Sequence, residues 1–114
     1  MTEFDFNNKT FLLVQNSKNG QVNSDTVFKY QQDGNLVTAD YFGGSIKYGK
    51  IIAHLQGDKL NMLYQCLTTD NELKAGKAIA DITLTEQGKI KLSLDWQWLT
   101  NEKEKGQSEY IETN

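Results

Sequence analysis

The chain has 114 residues, of which 38% are apolar and 24% charged, and its length suits one hydrophobic core rather than two. That balance excludes a disordered chain, and the longest apolar runs are far too short for the roughly 20 residues of a membrane-spanning helix. A net charge of −3 in which every basic residue is Lys argues against a nucleic-acid partner and supplies no bidentate Arg fork for phosphate or carboxylate.

The N-terminus, MTEFDFNNKT, has neither the basic nor the apolar region of a signal peptide, so a cytoplasmic location is expected. Residues 1–8 read as an arm in which Thr2 to Asn7 form at most a short turn or helix. From there the chain alternates with period two between glycine-marked turns, and proline is absent throughout. Eight strands are predicted, at roughly 10–16, 26–32, 36–42, 45–56, 59–69, 72–85, 89–101 and 107–113. In the second, Phe28 and Tyr30 oppose Lys29 and Gln31, and Asp33-Gly34 then turns the chain.

The Gly43-Gly44 turn leads into the fourth strand, where two counts disagree. Counting forward puts Tyr48 inside, whereas counting back from Gly57-Asp58 puts Ile51, Ala53 and Leu55 inside. A bulge near Gly49 reconciles them, and Gly76 marks a similar bend in strand six. In strand five Leu60, Met62, Tyr64 and Cys66 share one face. Leu63 and Leu67 make the other face partly apolar, which favours self-association as a homo-oligomer. Asp70-Asn71 and Gln87-Gly88 supply the next turns. The seventh strand sets Ile90, Leu92, Leu94, Trp96 and Trp98 on one face against Lys91, Ser93, Asp95 and Gln97.

Short links join most of these strands, the exceptions being residues 17–25 and 102–106, so sequential strands should pair as a meander. The expected fold is all-β, a single domain spanning residues 1–114. Closure into an eight-stranded antiparallel up-and-down barrel of lipocalin-like or avidin-like shape would leave no open edge. A β-sandwich is the second architecture, disfavoured because no long crossover is visible.

Two indoles at i and i+2 on a strand point the same way, so Trp96 and Trp98 either plug one end of such a barrel or line the wall of a ligand pocket. Tyr41 and Tyr64 are the phenols that would join them. Glu112 faces inward if Tyr110 does, and would then be a polar anchor; if Ile111 is the inward residue, Glu112 is surface. The one histidine, His54, and the one cysteine, Cys66, fall on opposite faces of their strands, so neither a metal cluster nor a Cys–His nucleophile pair is expected. No nucleophile elbow, phosphate loop or dinucleotide fingerprint occurs. No catalytic residue, metal or cofactor is therefore assigned.

The segments FKYQQDGNLVTADYFGGSIKYGKIIA, LYQ, GKIKLSLDWQW and GQSEYIE together resemble a family of small uncharacterised bacterial proteins, some carrying the automatic label N-acetylglutamate synthase. The resemblance spans roughly residues 9–112 and rests on Tyr41 with Gly43-Gly44, Gly49, Tyr64-Gln65, Gly76, Trp96-x-Trp98, Gly106-x-Ser108 and Glu112. Relatives often carry His after Tyr-Gln, where this chain has Cys66. The leading expectation is a barrel that binds a small molecule without catalysis, through Tyr41, Tyr64, Trp96, Trp98 and Glu112. The alternatives are a barrel enzyme, with the synthase label as its guide, and a filled barrel acting through its surface or by oligomerisation.

Overall fold

Eight antiparallel strands close into one barrel in chain order, β1 Lys9–Asn16, β2 Val27–Asp33, β3 Leu36–Gly43, β4 Ile46–Gln56, β5 Lys59–Thr68, β6 Leu73–Leu84, β7 Ile90–Trp98 and β8 Lys105–Thr113. The computed structural model describes residues 4–16, 25–100 and 104–113. Most of the two longer links expected from the sequence therefore lies outside the described residues. Each strand pairs with its sequence neighbours, and β8 returns to β1 through pairs such as Phe11 with Glu112 and Leu13 with Tyr110. The meander predicted from hairpin signals is the observed topology.

Alternation holds along most strands because one face is buried and the other wet. On β7, Ile90, Leu92, Leu94, Trp96 and Trp98 are all buried. On β4 the register does shift, but before Gly49. Ile46 pairs with Thr68 and Tyr48 with Leu67, so Lys47 is the extra residue. Tyr48 consequently points outward, 52% exposed, with its hydroxyl donating to Asp40 at 2.7 Å. The expected bulge exists; its position and the inward setting of Tyr48 do not. A second shift lies between Leu13 and Gln15, where β1 meets β8.

The two ends of the barrel differ. At one, the N-terminal arm runs across the opening as a turn and contains no helix among its described residues. Phe6 is fully buried, with its ring 5.9 Å from Phe11 and 5.6 Å from Tyr30. The Phe6 amide donates to Gln32 Oε1 at 2.8 Å, and the Asn8 amide donates to the Tyr30 carbonyl at 3.1 Å. This end is closed by a stopper of three aromatic rings stitched to β2. At the other end lie the β3–β4 and β5–β6 turns.

If the arm closes the barrel in this way, Phe6→Ala leaves a cavity among Phe11 and Tyr30 and should cost about 3–5 kcal/mol. Urea denaturation of the variant beside the parent chain measures it, and a loss below about 1 kcal/mol would mean the arm is not part of the core.

Candidate functional site

Neighbouring strands of this barrel alternate large and small inward residues around its girth. Tyr41 on β3 stands beside Gly49 on β4, and Tyr64 on β5 stands beside Gly76 on β6. Both rings lean sideways onto these glycines. A Cβ at Gly49 would overlap the Tyr41 ring, and one at Gly76 would come within 2.6 Å of the Tyr64 ring and hydroxyl. The phenols are thereby laid along the wall instead of reaching across the lumen. Gly49 and Gly76 are seats for tyrosine, and no shift of register occurs at Gly76.

Trp98 pairs with Gly76, while Trp96 lies between Ala78 and Gly106. The Tyr64 ring meets Trp98 edge-on at 5.6 Å, and the two indoles are 6.0 Å apart and tilted by 57°. Trp96 Nε1 donates to Ser108 Oγ at 2.7 Å, a buried bond that ties the indole to β8. Lys74, in register with Cys66, holds its ammonium 4.9 Å over the Trp98 ring. Deeper in, Phe28 stacks on Tyr41 at 4.8 Å and meets Tyr110 edge-on at the same distance.

Tyr41, Tyr64, Trp96 and Trp98 thus come together at the end opposite the aromatic stopper. Glu112 does not join them. It shares the inward side of β8 with Tyr110, yet sits near the start of β7, where its Oε1 accepts from the Ile90 amide at 2.9 Å and its Oε2 pairs with Lys9 Nζ at 3.0 Å. The strand period put Glu112 on the correct face but could not say which end of the barrel that position reached. Glu112 is a clasp across β7, β8 and β1. Burial opposes its charge, but the Ile90 N–H and the Lys9 ammonium outweigh burial and hold the carboxyl below its ordinary pKa.

Burial raises the pKa of Tyr41 and Tyr64, and pushes that of Tyr110 up to about 12. At neutral pH these phenols are uncharged groups that both donate and accept. The Tyr41 hydroxyl donates to the Gln65 carbonyl at 3.3 Å and also lies within hydrogen-bonding reach of the Cys66 thiol. Cys66 is buried inside and burial raises its thiol pKa, whereas His54 stands exposed on the outer face. The two do not form a pair, as the strand register anticipated. Among the described residues no group of three or more His, Cys, Asp and Glu side chains could hold a metal. The site is suited to stacking on flat groups and to hydrogen bonding through neutral hydroxyls.

Sequence reasoning placed Ser108 in a motif without giving it a role, and passed over Lys74 and the seating role of the glycines. Ser108 had a signal, its place two residues from Tyr110 on an alternating strand. Lys74 had one too, since it shares parity with Gly76 and Ala78.

The family model described as Avidin-like protein matches residues 4–113. Among solved structures, the P21 form of apo shwanavidin superposes with a TM-score of 0.65 at 13% identity, covering 99% of each chain. Its P1 form gives 0.61 at 12% identity, covering 98% of each chain. No curated protein matches the chain. None of these matches carries the synthase label.

Two outcomes follow from the site's bonds. Ser108→Ala leaves the buried Trp96 N–H without its partner and should destabilise the fold by about 1–3 kcal/mol; an unchanged melting temperature would remove that bond from the account. Because the folded-state pKa of Glu112 is depressed, its contribution is complete above the ordinary carboxylate pKa and fades as pH falls through the lower folded value. Stability measured against pH should show that acid-side loss in the parent chain and a shallower one in Glu112→Gln.

Proposed function

This chain belongs to the avidin-like family, and from that premise we propose that its barrel binds a small molecule, without transforming it, against the wall of Tyr41, Tyr64, Trp96 and Trp98. Barrels of this family bind small ligands such as biotin. The observation that carries the reading for this chain is the laying of Tyr41 and Tyr64 onto Gly49 and Gly76. Rings seated on the glycines of the adjoining strand do not themselves cross the barrel axis, where rings aimed at the axis would fill it.

The chemistry of the wall sets the kind of ligand. Trp96 and Trp98 offer broad apolar faces that favour a flat or ring-bearing body. The neutral phenols of Tyr41 and Tyr64 then accept from, or donate to, a polar edge such as an amide or urea. The opposite end is closed by Phe6, Phe11 and Tyr30, so the ligand enters between the β3–β4 and β5–β6 turns. Specific affinity in such sites comes from a few placed polar groups within an apolar enclosure.

Native mass spectrometry and tryptophan fluorescence of the full chain, first with biotin and then with a bacterial metabolite extract, test the reading. A discrete added mass and a change in indole emission are expected. Trp98→Ala should weaken that binding by about tenfold or more while the chain stays folded. Gly76→Ala, by pushing the Tyr64 ring off its seat, should weaken it as well. A bare mass with both probes would sink the proposal and favour an interior filled by its own side chains, whereas binding that turns the ligand over would favour the enzyme reading.

A further inference from the structure

The end of the barrel opposite the candidate site is filled by a segment that lies outside the sheet. The first ladder pairs of β1 are Lys9 with Tyr30 and Thr10 with Thr113, so closure of the barrel begins where the arm, Phe4 to Asn8, ends. At Asn8 the backbone takes a φ of 58°, a left-handed conformation that costs a residue carrying a Cβ. Gln31 and Gln32, which hold the arm, keep their own partners Thr38 and Val37 on β3. Lifting the arm away therefore breaks no ladder pair of the barrel.

The contacts of the arm are those of a small-molecule site, an apolar enclosure with a few placed polar groups. Phe4 and Phe6 are buried, and the Phe6 ring sits against Phe11 and Tyr30. Gln32 reads the backbone beside that ring. Its Oε1 accepts from the Phe6 amide at 2.8 Å, and its own amide donates to Asn7 Oδ1 at 2.9 Å. The Gln32 Nε2 donates to the Gly34 carbonyl at 2.9 Å, which fixes the side chain with its oxygen toward the arm.

We propose that Phe11, Tyr30 and Gln32 form a second binding site, filled in the resting chain by its own Phe6. When the arm swings out, the site takes an arylalkyl amide, an aromatic ring with an amide N–H on a short alkyl link. The ring replaces that of Phe6 between Phe11 and Tyr30, and the N–H replaces the Phe6 amide at Gln32 Oε1. The tether gives Phe6 a high local concentration, so the arm holds the site until an outside ligand reaches a comparable one. This site is at the far end from Trp96 and Trp98, and its test needs no ligand there.

Native-state hydrogen exchange of the full chain, followed by NMR at low urea, tests the proposal with N-acetyl-phenylalanine amide as the probe. The Phe6 and Asn8 amides donate to Gln32 Oε1 and to the Tyr30 carbonyl. They should exchange about a hundredfold faster than the core amides of β3 and β4, through an opening that urea barely accelerates. The probe at ~10 mM should speed these two amides on the order of tenfold. A ligand of the open state multiplies its population by 1 + [L]/Kd, and a one-ring site has a Kd of about 1 mM. N-acetyl-alanine amide lacks the ring and should leave them unchanged. Arm amides that exchange only with the whole barrel, ignore the ring-bearing probe, or answer both amides equally overturn the proposal.

Discussion

Eight strands close around a space that side chains alone can fill, so each large inward residue needs small neighbours on the adjoining strands. Here that condition runs around the barrel in rows. Tyr41 is followed by Gly49 and Cys66, and Tyr64 by Gly76 and Trp98. Met62 is followed by Ala78, Trp96 and Gly106. Five large side chains fit because each has glycine, alanine or cysteine beside it. Adding one methyl group at Gly49 or Gly76 would displace a whole phenol. The wall that forms the candidate site is therefore a consequence of packing before it is anything else.

The same packing makes the barrel asymmetric along its axis. One end spends the Phe6, Phe11 and Tyr30 rings on closure, with Tyr30 wholly buried and its hydroxyl pKa raised by that burial. The Glu112 clasp secures the strand starts and the seam near it. The other end has the Tyr41 and Tyr64 rings pressed onto Gly49 and Gly76, near the β3–β4 and β5–β6 turns. The outer face is divided as well: polar and ionic cross-strand pairs such as Lys50 with Asp40 sit beside the exposed Ile52, Leu63 and Ile79 on β4, β5 and β6. Inside and outside of the same sheet thus carry different surfaces, and alternation along each strand lets them vary independently.

Much of this was legible in residues taken one strand at a time. Glycine pairs and Asp-Gly or Asp-Asn steps located the turns, and alternation assigned Phe28, Tyr30, Tyr64, Trp96 and Trp98 to the inner face. Where the reading slipped, the cause was a long-range partner. Tyr48 was counted inward because the bulge at Lys47 is defined only against Thr68 and Leu67 on the next strand. Gly49 and Gly76 were read as bends, since their actual role depends on tyrosines that reach them across a strand pair. Glu112 was assigned the right face and the wrong company, because its height in the barrel depends on how far each strand is staggered against the next.

The sequence by itself determined the strand count, the antiparallel meander and the division of residues between the two faces. It could do so because turn chemistry and a period of two are local properties of the backbone. Only the tertiary structure decided which inward residues meet, which end is stoppered, and that three outward aliphatic side chains from three strands form one patch. Those facts depend on register and stagger between strands distant in the chain, which no local pattern encodes.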